Sequence, residues 1–181
     1  MKVELIAKNF FGLPEHLVTE LGVVTFKVEG VSRIVLAQIT RHRTFSFSVQ
    51  SMRYVKQHDF VTPLAMTKDN DSWLYKLAQQ DNFDDYEFYL SKKIKKQDAR
   101  YTLPLATTTE FVASMPMKHI KNYFMQRLHK SAQPEHRALA TLFFKEIYNI
   151  TNKCDNDVIE LWKQALQDEE VVYYLKGDIY G

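Results

Sequence analysis

A partly alternating apolar segment, followed at once by a helical repeat, sets the architecture of this 181-residue chain. Residues 23–30 (Val-Val-Thr-Phe-Lys-Val-Glu-Gly) are rich in β-branched side chains, which predicts a strand that ends in glycine. Apolar residues then recur at helical spacing over residues 31–39, and Ser32 is placed to help cap that helix. Because Gln38 and Arg41 are three positions apart, the end of this helix brings both side chains to one face.

Periodicity and turn residues predict the remaining elements. Residues 1–6 begin like a strand, and residues 100–112 are apolar and threonine-rich enough for another, with Pro104 tolerated at an edge or a bulge. Residues 60–71, which hold a proline and a polar run, predict a loop. The lysine-rich run at residues 92–96 is interpreted as a solvated helix end. Helices are expected over residues 72–80, 84–97, 117–128, 133–148 and 155–166.

Composition predicts one domain over residues 1–181. A chain of this length with 45% hydrophobic residues can bury one sizeable core, and its 5 glycines and 5 prolines are dispersed. The net charge of +2 is too small to predict nonspecific nucleic-acid binding. Cys154 is the single cysteine and lacks metal-ligand spacing, and no apolar run approaches the ~18 residues of a membrane span. A soluble cytoplasmic protein without metal, membrane or nucleic-acid partners is expected.

Three of the chain's seven arginines fall within residues 41–54, together with a histidine, four serine or threonine hydroxyls and two phenylalanines. Lysine is the common cation, with seventeen copies, so arginine is concentrated in this segment selectively. The planar guanidinium grips phosphate, or the edge of a flat heterocycle, through two parallel hydrogen bonds. The segment therefore predicts an anion site whose ligand is a nucleotide.

The order of residues in this segment resembles the signature of flavin-dependent thymidylate synthases. Arg41-His42-Arg43 is followed by seven residues and then Ser51, with Arg53 and Tyr54 just beyond. An Arg-His-Arg tripeptide alone is more often a solvated basic surface. The longer pattern instead favours the resemblance to this family. Further stretches resemble the family in its order, over about residues 19–148: Ala99-Arg100-Tyr-Thr-Leu-Pro104-Leu, Thr109-Glu110-Phe111, Asn122-Tyr-Phe-Met-Gln-Arg127 and Ala132-Gln133-Pro-Glu135.

The resemblance implies an α/β (α+β) fold, with helices packed against a mainly antiparallel sheet, assembled as a homotetramer. It implies reductive methylation of dUMP to dTMP, with methylenetetrahydrofolate as carbon donor and NADPH-reduced FAD as hydride source. Side chains cannot supply hydride, so this chemistry requires the flavin. The chain has no glycine-rich dinucleotide fingerprint, and the resemblance places FAD in grooves between subunits.

Residue roles follow from the same resemblance. Arg127 matches the arginine that polarises the uracil edge and makes C5 nucleophilic, which is the one catalytic role assigned. Arg53 and Arg100 are the expected phosphate clamps. The implied dUMP-binding set is Gln38, Arg41, Gln50, Ser51, Arg53, Arg100 and Arg127. The implied FAD-binding set is Arg41, His42, Arg43, Thr44, Lys118 and Asn122.

Two of these residues invite a second interpretation. A serine hydroxyl is a weak nucleophile without an adjacent base, and no histidine lies at a recognisable spacing from Ser51. Ser51 is therefore predicted to be a hydrogen-bonding ligand. His42 lies between two arginines, which favours its neutral form. It is therefore expected to donate a hydrogen bond or to stack on a ring, and not to act as an acid catalyst. A solvent-facing His42 is the alternative.

The chain departs from the family pattern at several positions. Lys118 stands where the family has arginine, so it keeps the charge and loses the bidentate fork. His16 lies one place off the histidine expected upstream, and that role is not assigned to it. The other departures are Ser48, Val49 and Pro116. Because these changes affect the flavin site most, the alternative function is a family paralogue that binds dUMP with altered or absent methyl transfer. A basic nucleic-acid-binding module is a third interpretation, which the low net charge disfavours.

Overall fold

The structure, a computed structural model, describes residues 1–10, 12–67 and 72–176. Its strands are β1 (Lys2–Asn9), β2 (Val23–Ser32), β3 (Ser46–Val49) and β4 (Thr108–Pro116). They form one antiparallel sheet in the order β1-β2-β4-β3. The α-helices of these residues are α1 (Glu15–Leu21), α2 (Arg33–Ile39), α3 (Ser72–Ser91), α4 (Lys96–Ala99), α5 (Met117–Arg127), α6 (Pro134–Thr151), α7 (Asn156–Gln167) and α8 (Glu169–Lys176). The predicted class, helices against an antiparallel sheet, is confirmed.

The two central strands supply one wall of the core. Alternate residues from Val24 to Val28 on β2, and from Phe111 to Met115 on β4, are at most 2% exposed. Phe26 packs against Phe143 of α6, with ring centroids 4.7 Å apart. Burying one such side chain contributes about 1.5–3 kcal/mol. Helix α6 therefore lies against the apolar face of the sheet.

Helix α2 begins directly after β2, as the sequence predicts. The Ser32 hydroxyl accepts a hydrogen bond from the backbone N–H of Val35 at 3.2 Å, so the predicted cap is confirmed. The buried carboxylate of Glu135, in the first turn of α6, accepts from the Ser32 N–H at 2.6 Å and from the Ser32 hydroxyl at 2.7 Å. These bonds fix the start of α2 to α6, and the other end of α2 carries Gln38.

The predicted pair of helices at residues 72–80 and 84–97 is wrong, because α3 is continuous over Ser72–Ser91. Buried Phe83 and Tyr86 give the middle of this helix its own core contacts, so the polar residues around them do not interrupt it. The chain turns at Lys93, which adopts a left-handed conformation with φ 63°. The loop prediction at residues 60–71 lies partly outside the described residues, and its described part contains a 3₁₀ turn at Leu64–Met66.

The predicted strand at residues 100–112 is misplaced. Arg100–Thr102 forms a 3₁₀ turn, and β4 runs over Thr108–Pro116. Proline has no N–H for a strand ladder, and the Pro104 carbonyl instead accepts from the Thr107 N–H and hydroxyl. The short elements α1, β3 and α8 were not predicted. No helix within the described ranges is long and apolar enough to cross a lipid bilayer.

Candidate functional site

The predicted arginine segment faces helix α5 across an open cleft of about 420 Å³. The turn after α2 supplies one wall, residues 41–44, and the last two turns of α5 supply the other. The lining residues are Arg41, His42, Arg43, Thr44, Asn122, Gln126 and Arg127. The fold thus brings together five of the six residues predicted for the flavin with the predicted catalytic arginine.

A hydrogen bond between His42 and Arg127 joins the two walls of the cleft. Arg127 Nε donates to His42 Nε2 at 2.9 Å, and Arg127 Nη2 donates to the backbone carbonyl of Gln38 at 3.5 Å. Since the imidazole accepts at Nε2, His42 is neutral and carries its proton on Nδ1. The His42 ring stacks on Phe45, with centroids 5.7 Å apart, and meets the edge of Tyr123.

The electrostatics of the cleft agree with that neutral form. Burial, and then the positive charge of Arg127, lowers the pKa of His42 from 6.5 to about 4. The neutral His42 was predicted from the flanking arginines, but the larger cause is burial. Burial also lowers the pKa of Arg127, and the nearby charge of Arg41 adds to that effect. Within the described residues no carboxylate pairs with Arg127, so its charge is available to a ligand.

The Gln38 side chain is held by buried His136 of α6 and by Gln133, the residue that precedes this helix. Gln38 Oε1 lies 3.0 Å from His136 Nδ1, and Gln38 Nε2 donates to Gln133 Oε1. His136 is fully buried, and its Nε2 lies 3.3 Å from the Tyr123 hydroxyl. Gln38 was predicted to bind substrate; these contacts give its amide one defined orientation, and its backbone carbonyl contacts Arg127 of the cleft.

A second group of arginines forms near the other end of α2. Arg53 Nη2 donates to the side-chain oxygen of Gln97 at 3.2 Å, and Arg100 Nε donates to the Gln97 backbone carbonyl at 3.1 Å. Arg33 joins them: burial, and then the charge of Arg100, lowers the pKa of Arg33. In the described part of the chain no carboxylate pairs with any of the three. Arg53 and Arg100 share Gln97 as a neutral partner, so their charges are not neutralised by it, and guanidinium groups of this kind suit an anion.

Arg33 is a functional candidate that the sequence analysis missed. Its Nη1 donates to the Thr109 hydroxyl at 3.3 Å, which holds the side chain against β4. The available signal was the position of Arg33 in the first turn of a predicted helix. Its partners lie far along the chain, however, and only the fold brings them into contact.

Gln50 and Ser51 lie between β3 and the second arginine group. The Gln50 N–H donates to the Glu110 carbonyl at 2.9 Å, and the Gln50 side chain lines a separate cleft of about 420 Å³. Ser51 Oγ accepts a hydrogen bond from the Arg53 N–H at 3.3 Å. No histidine or carboxylate of the described residues contacts this hydroxyl. The geometry therefore gives Ser51 no activating base, which agrees with its predicted role as a ligand.

The predicted dUMP-binding residues lie in two groups within one chain. Gln38, Arg41 and Arg127 lie near the C-terminal end of α2, whereas the second group lies near its N-terminal end. Arg33 and Gln38 are five residues apart, about 7.5 Å along a helix. Lys118 is exposed in the first turn of α5 and does not line the cleft, unlike the other residues predicted for FAD.

The protein is an α/β protein that carries two groups of arginines, one near each end of α2. A family model described as "Thymidylate synthase complementing protein" matches residues 3–151, so the chain belongs to this family. The Pyrococcus abyssi flavin-dependent thymidylate synthase is 32% identical over 146 residues, 77% of this chain and 60% of the relative. The same-named protein of Sulfolobus acidocaldarius is 34% identical over 149 residues, 80% of this chain and 55% of the relative. The chain thus spans less than two thirds of the length of these curated relatives.

Solved structures share the fold. The flavin-dependent thymidylate synthase ThyX of Helicobacter pylori, complexed with FAD and dUMP, has a TM-score of 0.64 and 17% identity, and the match covers 83% of this chain and 97% of that one. The UMP/dUMP methylase PolB of Streptomyces cacaoi, bound with 5-Br dUMP, has a TM-score of 0.69 and 16% identity, over 92% and 94% of the two chains.

Proposed function

We propose that this protein catalyses the reductive methylation of dUMP to dTMP, with methylenetetrahydrofolate as carbon donor and NADPH-reduced FAD as hydride source. The observation that carries the proposal is Arg127, which His42 and Gln38 hold in a cleft without a neighbouring carboxylate in the described chain. Its Nη1 has no partner among the described residues and is available to an oxygen or ring nitrogen of uracil. Membership of the family supports the same conclusion.

In this proposal the nucleotide lies along α2. Arg33, Arg53 and Arg100 bind its phosphate, and Arg127 polarises its uracil edge. Arg33 and Gln38, which lie near opposite ends of α2, are about 7.5 Å apart along the helix axis, a length on the scale of a nucleoside monophosphate. Polarising N3 and O4 of uracil makes C5 nucleophilic, and a guanidinium presents two donors in the required plane. Ser51 contributes a hydrogen bond and forms no covalent intermediate, because it lacks a base.

The phosphate role of the second arginine group is tested by comparing dUMP with deoxyuridine in calorimetry. Each charge-assisted contact is worth about 1.5–3 kcal/mol, so dUMP should bind at least about 100-fold more tightly. Salt should weaken dUMP binding and leave deoxyuridine binding nearly unchanged. Arg33→Gln should remove part of the difference. Equal affinities for the two ligands would show that these arginines do not bind the phosphate.

The donor set of the cleft fits an anionic flavin dinucleotide. Arg41 and Arg43 are exposed cations at its mouth, and neither forms a salt bridge within the described residues. Thr44 and Asn122 add a hydroxyl and an amide, and Asn122 is oriented by a 3.1 Å hydrogen bond from Gln126. When bound, FAD would supply the hydride that no side chain can supply. The task of these residues is to bind its phosphates and orient it.

The proposal includes assembly as a homotetramer. The cleft of about 420 Å³ within one chain is smaller than a flavin dinucleotide, so a single chain would not enclose the cofactor. A neighbouring subunit would complete the site. Helix α3 presents large exposed apolar side chains, including Trp73 at 61% and Leu77 at 48% exposure. Exposed apolar surface of this kind marks association sites.

A related methylase with altered substrate choice is the second candidate function. Lys118 lies outside the cleft although the family pattern predicts its contact with flavin, and the fold is also that of a UMP/dUMP methylase. The 2′-hydroxyl distinguishes UMP from dUMP, so the two candidates differ in which nucleotide is methylated.

One experiment separates these functions. The purified protein is incubated with FAD, NADPH and methylenetetrahydrofolate, and with either dUMP or UMP, and the products are measured by mass spectrometry. We expect dTMP from dUMP, dependence on FAD, and a flavin absorbance near ~450 nm that shifts when dUMP is added. Methylation of UMP alone would establish the second function. Binding of dUMP without any methylated product would establish a paralogue that lacks turnover.

A further inference from the structure

His136 occupies a buried position beside the candidate site and has no role in the proposed function so far. It lies in the first turn of α6 and is 0% exposed. Its two ring nitrogens contact residues on two different helices, Gln38 of α2 and Tyr123 of α5. A buried imidazole bonded at both nitrogens is held in one orientation.

The contacts define where the protons lie. The oxygen of the Gln38 amide faces His136 Nδ1 at 3.0 Å, so Nδ1 must carry the proton and donate. Burial, and then the nearby charge of Arg127, keeps the pKa of His136 well below its ordinary value, so the ring is neutral. Nε2 therefore has no proton and accepts from the Tyr123 hydroxyl at 3.3 Å.

This arrangement gives a hydrogen-bond chain with one direction. Tyr123 donates to His136, His136 donates to Gln38 Oε1, and Gln38 Nε2 donates to Gln133. An amide that accepts at its oxygen cannot be reversed without placing two N–H donors against each other. The remaining N–H of Gln38 can then serve as a donor to a ligand oxygen, such as a carbonyl or a phosphate oxygen.

We propose that His136 is a positioning residue, which fixes the amide direction of Gln38 so that Gln38 meets the substrate as a hydrogen-bond donor. The inference rests on the proposed function, because Gln38 is a substrate ligand only there. His136 acts through Gln38 and makes no contact with the reacting atoms. The bond from His136 to Tyr123 joins two parts of the core, whereas the bond to Gln38 orients a residue that is predicted to bind substrate.

A matched pair of substitutions separates the two bonds of His136. The amide nitrogen of asparagine takes the place of imidazole Nδ1, so His136→Asn keeps a donor toward Gln38 and loses the bond to Tyr123. The amide of glutamine reaches the place of Nε2, so His136→Gln keeps a partner for Tyr123 and loses the donor to Gln38. Tyr123→Phe removes the Tyr123 bond alone and serves as the control.

We expect kcat/KM for dUMP to fall about ten-fold in His136→Gln, with the change mainly in KM, and by no more than about three-fold in His136→Asn. Tyr123→Phe should lower the melting temperature and leave kcat/KM within about two-fold. In a Gln38→Ala background, His136→Gln should add less than about two-fold, because the residue through which it acts is gone. Calorimetric dUMP affinity should follow the same pattern.

Two results would overturn the inference alone, and a third would overturn the proposed function as well. Equal losses in His136→Asn and His136→Gln, or the same loss with and without Gln38, would show that His136 only stabilises the core. Circular dichroism on each variant shows that the protein is folded, and His136→Asn gives a second reading if His136→Gln does not fold. If the unsubstituted protein bound no dUMP at all, the proposed function would fail, and this inference with it.

Discussion

At the scale of single residues, the arrangement of Arg127 determines what the cleft can do. A guanidinium can donate to His42 Nε2 and to the Gln38 carbonyl at once, and still present a donor to a ligand. A lysine ammonium is a point charge that cannot keep these directions. Sequence resemblance predicts the role of Arg127, and the structure adds the two groups that hold its guanidinium in place.

We predict that Arg127→Lys abolishes methylation while retaining most of the affinity for dUMP. The positive charge remains, but two parallel donors to the uracil edge are lost, so the chemical step should suffer more than ground-state binding. Ser51→Ala should be milder, because Ser51 Oγ contacts only a backbone N–H. Single-turnover conversion to dTMP, with dUMP affinity measured separately, checks both variants. Near-normal turnover in Arg127→Lys, with an inactive Ser51→Ala that still binds dUMP, would reverse the assigned roles.

His42 gives the protein a defined acid sensitivity. An unfolded histidine takes up a proton near pH 6.5, whereas folded His42 does so only near pH 4, chiefly because it is buried. Between these values the unfolded state binds more protons, so the free energy of unfolding should fall as pH falls from 6.5 to 4. Protonation also removes the acceptor for Arg127 Nε.

Urea denaturation across this pH range tests the acid sensitivity. His42→Gln keeps an acceptor for Arg127 and cannot titrate, so the dependence of stability on pH should become weaker. It should not vanish, because buried His136 contributes in the same direction. His16→Gln is the control, since His16 is exposed and lies on α1, away from the cleft residues. An unchanged pH dependence in His42→Gln would show that His42 is not the titrating group.

At the scale of secondary-structure elements, α2 connects the two arginine groups, and its start is fixed by Ser32 and Glu135. Two hydrogen bonds at 2.6 and 2.7 Å join Ser32 to a carboxylate of α6. Burial raises the pKa of Glu135, while the bonds from Ser32 oppose that effect. A rigid α2 keeps Arg33 and Gln38 at a constant separation, which a ligand in contact with both would require.

We predict that Ser32→Ala lowers the free energy of unfolding by about 1–3 kcal/mol. The lost helix cap costs about 0.5–2 kcal/mol, and the buried Glu135 carboxylate loses one of its two partners. Thr40→Ala, at the exposed opposite end of α2, is the matched control and should cost less than about 0.5 kcal/mol. Urea unfolding measures both, and dUMP affinity should fall in Ser32→Ala. Equal effects in the two variants would argue against the role given to the Ser32–Glu135 contact.

Local patterns predicted the elements whose signals lie within one segment. The strand before α2, the Ser32 cap and the helices near residues 117–128 and 133–148 were all predicted from signals within single segments. The division of α3 was wrong, because tertiary burial of Phe83 and Tyr86 overrides a polar stretch. Arg33 and His136 were missed for a different reason. Their partners Thr109 and Gln38 are distant in sequence, and only the packed sheet and helices bring them within contact.

At the scale of the whole molecule, the exposed apolar face of α3 bears on how the proposed flavin site is completed. Trp73, Leu74 and Leu77 lie in its first turns, each about half exposed or more. Leaving such side chains in water forgoes about 1.5–3 kcal/mol for each one that could be buried. An interface on this face would bury them, and the cleft at Arg41–Thr44 is too small for a whole dinucleotide.

We predict that the protein is a tetramer and that flavin binding depends on its assembly. The double variant Trp73→Asp and Leu77→Asp places charge on the apolar face, which should dissociate the tetramer and weaken FAD binding about ten-fold or more. Lys145→Asp, an exposed change on α6, should alter neither property. Sedimentation velocity and flavin absorbance measure assembly and occupancy in the same samples. A monomeric protein that binds one FAD per chain would contradict the prediction. A double variant that stays tetrameric would show that α3 lies outside the interface.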